Sequence, residues 1–194
     1  MQRAGVGLLA AALLATAPAT AVAQLWEVHT GAVASYGSAS AYGPGAGLLI
    51  GVAPGRFLYA GLRWTMYAGA TTLAGAAPTQ TEVRNRAQTF SVDLALMFPR
   101  GRVEIMPGIG FGAVRLGQDA RPAGTQASWQ SAASTQFLAT PGVAAEIHLG
   151  RLALIPELQY GLGHAPMLAY PVQPSGLLAS VRVVLAFEID RIKQ

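Results

Sequence analysis

Between residues 143 and 163 the sequence VAAEIHLGRLALIPELQYGLG alternates strictly on either side of Gly150-Arg151. Folded at that pair, Leu149 faces Leu152, Ile147 faces Leu154 and Val143 faces Leu158, all on one surface of a two-stranded ribbon. The opposite surface carries Ala144, Glu146 and His148 from one strand and Ala153, Glu157, Gln159 and Gly161 from the other. One face is too apolar to stay wet, and the other has too few charges to serve as a water-facing surface. Lipid outside and a narrow polar interior within satisfies both.

The rest of the chain repeats this pattern. Further alternating segments cover 25–36, 42–52, 57–68, 87–98, 103–116 and 177–189, which with the hairpin makes eight strands. The links at 53–56, 99–102 and 150–151 are tight turns, whereas 69–86, 117–135 and 164–175 are long. An even strand number puts both termini and all the short turns at one end. That asymmetry is expected of an all-β, eight-stranded antiparallel up-and-down transmembrane barrel with short periplasmic turns and longer external loops. Outward aromatics read as two girdles, Trp26, Phe98 and Phe187 at the turn end and Tyr36, Tyr42, Phe90, Phe137 and Tyr160 towards the loops. Pro44, Pro107, Pro141 and Pro156 fall inside strands, where each predicts a bulge or a missing ladder bond.

Composition narrows the class. Only 11% of residues are charged and 52% are hydrophobic, with a single lysine, Lys193; soluble domains carry about 25% charged residues. No stretch beyond the N-terminus is apolar for the roughly 18 residues a spanning helix needs. Residues 1–23 read as a cleaved signal peptide, with Arg3, an apolar core at 5–17 and Ala21-Val22-Ala23 as the cleavage site. Residues 24–194 then form the barrel domain. With no cysteine, neither disulfides nor thiolate metal sites can form. The arginines are scattered, which gives no nucleic-acid patch.

Inward-facing ionisable residues fall into two layers. Arg63, Asp93, Glu157 and Arg182 share mid-height, and unpaired burial would be costly, so they are expected to pair across the lumen and plug it. Arg63 is expected to meet Asp93, and Glu157 to meet Arg182. Glu27, Glu104, Glu146 and Glu188 form a turn-end layer with His29 and His148 nearby. Turn arginines Arg56, Arg100, Arg102 and Arg151 could relieve it. The layer reads either as a cation-attracting vestibule or metal site or as a solvated mouth; neither histidine has a convincing metal-ligand spacing, so the solvated mouth is the expectation. Arg84, Arg86, Arg115 and Arg121 near the outer rim suit lipopolysaccharide phosphates.

Catalytic readings are weaker. Gly108-Ile109-Gly110-Phe111-Gly112-Ala113 matches a dinucleotide fingerprint only formally, because strand alternation runs straight through it. A lipid A-modifying enzyme is the first alternative, with His164 and Ser175 as its only pair. No carboxylate evidently orients that histidine. A soluble lipocalin-like binding barrel is the second, and it would need a charged outer face. No catalytic residue and no cofactor is expected.

PGIGFGA at 107–113, EIHLGRLALIPELQYGLG at 146–163 and the final SVRVVLAFEI at 180–189 resemble the small eight-stranded outer-membrane barrels of the OmpA transmembrane-domain and OmpX kind. The resemblance covers the whole mature chain and is one of pattern. It implies a non-enzymatic, monomeric porin-family barrel with a structural, adhesive or narrow-pore activity. Its partners would be outer-membrane lipid, lipopolysaccharide and, during insertion, the barrel-assembly machinery.

Overall fold

The computed structural model describes residues 26–55, 57–100 and 102–189, with backbone alone at 99, 100, 188 and 189. The signal-peptide segment 1–23, Arg56 and the side chains of Arg100 and Glu188 lie outside the described residues. Ten strands form: β1 (Trp26–Gly37), β2 (Gly43–Pro54), β3 (Leu58–Tyr67), β4 (Thr71–Ala74), β5 (Thr81–Leu96), β6 (Phe98–Arg100), β7 (Val103–Pro122), β8 (Gln130–Leu149), β9 (Leu152–Gly163) and β10 (Gly176–Ile189). Each barrel strand pairs antiparallel with its sequence neighbour, β1 pairs with β10, and β5 pairs with both β3 and β7, so the sheet closes on itself. β6 continues β5 in the same register, and β4 is a short addition on β5. The barrel wall therefore has eight strands. The short connections from β2 to β3, from β6 to β7 and from β8 to β9 mark one end (the turn end), and the longer links mark the other (the loop end). Gly150 sits at a φ of +76°, the left-handed conformation that the tightest of these turns requires.

Alternation in the wall follows the sequence. Leu48, Ile50, Leu62, Trp64, Val92, Leu94, Leu158 and Val183 point outward and are 41–61% exposed. An apolar surface this continuous greatly exceeds what soluble monomers tolerate, and a closed barrel is the strand architecture that leaves no unpaired backbone in lipid.

Three expectations change. First, β5, β7 and β8 run well past the expected strand ends, so most of 69–86 and 117–135 is sheet and not loop. These extensions lack period-2 contrast because both of their faces are polar. Second, the strand prolines cause no bulges. All four point outward, and the pairing numbers stay in step through each. At Pro107, Pro141 and Pro156 the ladder shows the other expected outcome and skips two pairs on one side. Pro141 and Pro156 both turn that side to the β8–β9 seam, and Pro107 turns it to the point where β5 breaks into β6. Third, Tyr42 is not an outer-girdle residue. It lies in the link before β2, where alternation does not bind it, and folds fully buried into the lumen with its hydroxyl donating to the Pro174 carbonyl at 2.9 Å.

The interior is also more apolar than a lining of Gly, Ala, Ser and Thr. Tyr42, Tyr67, Val114, Leu116, Leu138, Val172 and Leu178 pack into one cluster. Residue Val172 belongs to the proline-containing link 164–175, which Gln118 also holds in place through Tyr170 at 3.0 and 3.1 Å. Leu49, Tyr59, Met97, Met106, Ile155 and Val184 form a second cluster. The polar sites described next are set among these layers.

Candidate functional site in the lumen

At mid-height, Arg63 from β3 is the centre. Its Nε donates to Asp93 Oδ2 at 2.7 Å, and its Nη1 and Nη2 donate to the two oxygens of Glu157 at 2.7 and 3.0 Å. Nη1 also reaches Gln159 Oε1 at 3.2 Å. Asp93 lies diagonally across the β3–β5 ladder, but Glu157 belongs to β9, so the guanidinium bridges non-adjacent strands through the lumen. Ser91 and Ser180 each donate to the flanking carboxylates at 2.9 Å. Arg182 Nη2 approaches Glu157 Oε1 at 3.4 Å, its Nε has no partner, and its guanidinium lies 5.8 Å from the Tyr59 ring centre. Glu157 thus meets both arginines, with the tighter contact to Arg63. Gly110 makes room for this set: a Cβ there would stand 2.7 Å from Asp93 Oδ1 and closer still to Thr140. Cavities of about 20 Å³ on either side of Arg63 have room for little more than a water molecule.

The turn end is built differently. Glu104 on β7 and Glu146 on β8 are direct partners in the ladder and both point inward, with His148 two residues along the same face. His148 Nε2 is 3.6 Å from Glu104, its Nδ1 is 3.9 Å from Glu146, and His29 Nε2 is 3.6 Å from Glu27. All three distances exceed a hydrogen bond. The Glu146 side chain is 0% exposed, and among the described residues neither its oxygens, Glu104 Oε2 nor either ring nitrogen of His29 has a partner. The expected solvated mouth holds only in part: Glu27, Glu104 and His148 remain partly exposed, whereas the strands close over Glu146 and His29. Arg102 and Arg151 point to solvent and pair with none of these acids among the described residues.

At the loop end, Arg84, Arg86, Arg115 and Arg121 all face outward from the extensions of β5 and β7. Arg121 and Arg84 both bond Glu82, at 2.8 and 3.1 Å, and Arg86 pairs with Asp119. The two arginines of the Glu82 clasp hold its carboxyl below the usual carboxylate range, with Arg121 the larger influence. Trp129 lies between them, 4.2 Å from Arg84 and 4.3 Å from Arg121. Arg115 has no ion pair among the described residues.

No protein-family model matches the chain, and no curated protein matches it in sequence. Solved structures do match. A major outer membrane protein from Thermus thermophilus superimposes with a TM-score of 0.67 at 17% identity, over 84% of this chain and 99% of its own. The N-terminal β-barrel domain of Pseudomonas aeruginosa OprF gives 0.51 at 14% identity, over 83% and 97%. Yersinia pestis Ail, solved with the heparin analogue sucrose octasulfate, gives 0.51 at 8% identity, over 84% and 99%. This chain has the fold of the small eight-stranded outer-membrane barrels. At these identities the likeness shows the fold alone.

Alternation gives the facing of several further participants but not their partners. Gln159 and Tyr59 face inward beside the charges, and Glu82, Asp119 and Trp129 bind the rim arginines. Of the pair weighed for catalysis, Ser175 donates to the Gly163 carbonyl at 2.8 Å and accepts from the Gly163 N–H at 3.2 Å. His164 is exposed and makes no hydrogen bond with Ser175.

Proposed function

We propose that this protein is a non-enzymatic outer-membrane barrel that is closed to solutes and acts through the surface at its loop end. The bridge from Arg63 to Glu157 carries this reading, because a guanidinium bonded to acids on two different strands blocks the lumen at its centre. Apolar layers around it add two further barriers. An ion would have to displace side chains bonded to one another, not water. The apolar belt and the fold shared with outer-membrane proteins support the location.

The outward arginines at the loop end support lipopolysaccharide as the lipid partner. Four guanidinium groups face two acids there, Glu82 and Asp119, which leaves positive charge for phosphate. Co-fractionation with the outer membrane and heat-modifiable gel mobility test the barrel and its location. Conductance across planar bilayers tests closure. Replacing His164 or Ser175 with Ala should leave the cell's lipid A pattern unchanged, and a changed pattern would favour the lipid A-modifying alternative.

A further inference from the structure

We propose that the turn end of the lumen binds a divalent metal ion of the zinc class through Glu104, Glu146 and His148. One ligand atom from each of the three lies within 4.8 Å of the others. Glu104 and Glu146 are held face to face by the β7–β8 register, and His148 follows on the same inward face. Two carboxylates in that position repel one another, and among the described residues no arginine reaches either.

Burial makes the arrangement informative. Glu146 is wholly enclosed, and among the described residues neither of its oxygens nor Glu104 Oε2 has a donor. A buried carboxylate without a partner carries a heavy desolvation cost. A dication removes that cost and the mutual repulsion together.

The spacing points the same way. The 3.6 and 3.9 Å separations between His148 and the two acids are too long for hydrogen bonds. With metal–ligand bonds of about 2.0–2.1 Å, two ligands on one tetrahedral ion stand about 3.4 Å apart. Small side-chain rotations bring the three donors to that distance. His148 offers a different ring nitrogen to each acid; one can hold the ion while the other donates its N–H to a carboxylate, the usual support of a ligating histidine. Two carboxylates and an imidazole suit zinc, cobalt or manganese better than calcium, which takes 6–8 oxygens. The sequence gathers these residues in one layer but shows no ligand spacing, because the ligands come from facing strands.

The test uses the full barrel, refolded in detergent and stripped with a chelator. Zinc alone is titrated by calorimetry, and cobalt by its visible absorption. The wild type should show one saturable site, and zinc should raise its thermal midpoint. Glu146→Gln and His148→Ala should each weaken zinc by about tenfold or more and abolish the thermal shift. His164→Ala, in the exposed loop, should bind as the wild type does. Heat-modifiable mobility shows whether each variant is folded, and Glu104→Gln replaces any that is not. No saturable binding by the wild type, or undiminished binding by a folded Glu146→Gln protein, would overturn the proposal.

Discussion

At mid-height two arginines and two carboxylates share one set of contacts, whereas at the turn end three described glutamates and two histidines gather without an arginine among them. Both groups are built by the same device, inward positions on alternating strands. They differ in charge complement. The central group is neutral in sum and each of its carboxylate oxygens accepts a bond, so it can act as a cross-brace. The turn-end group is acidic, and its buried Glu146 has no partner among the described residues. A barrel of this diameter lets an arginine reach across to acids on other strands, and that choice of residue separates a structural brace from a site that calls for a ligand.

Removing the brace should have the largest effect. Arg63→Ala leaves Asp93 and Glu157 buried without their principal partner and should cost about 3–5 kcal/mol, read from urea unfolding in detergent. Replacing Arg63, Asp93, Glu157 and Arg182 together by apolar residues of similar size should recover most of that loss. Failure to recover it would mean that the charges do more than neutralise one another.

The turn end should respond with the opposite sign. In metal-free protein, Glu146→Gln should raise stability by about 1–3 kcal/mol, since it removes a buried, unpaired charge. A loss of stability would show that Glu146 has a partner in the metal-free state and would erase the contrast. Tyr42→Phe removes one buried hydrogen bond, to Pro174, and should cost about 1 kcal/mol. The smallest effect belongs to the rim. The carboxyl of Glu82 titrates lower in the folded protein than in the unfolded chain, so its clasp stabilises above the usual carboxylate range. That contribution is lost as the pH falls through the lowered value. Trp129 fluorescence should report the opening in acid, and Glu82→Gln should remove the transition.

Much of this fold was legible, for a physical reason. Where one face meets lipid and the other a lumen, side chains of opposite character must alternate, and β1, β3 and β10 show it directly. The signal fades where that contrast fades. The outer parts of β5, β7 and β8 are polar on both faces, and Leu48-Leu49-Ile50 and Val183-Val184-Leu185 are apolar on both, which hid the inward Leu49 and Val184. The four central charges could be named because they stand out against small residues. Their dominant contact could not, since Arg63 meeting Glu157 depends on how the closed barrel brings β3 towards β9. Buried Glu146 likewise looked like a mouth residue until the depth of the lumen was known.

Single-channel recording in planar bilayers tests the closed lumen most directly. With the Arg63 bridge and both apolar layers in place, the wild-type barrel should insert and give no discrete conductance steps. Steady, reproducible steps from pure, folded wild-type protein would contradict the closed barrel and make this chain a narrow pore.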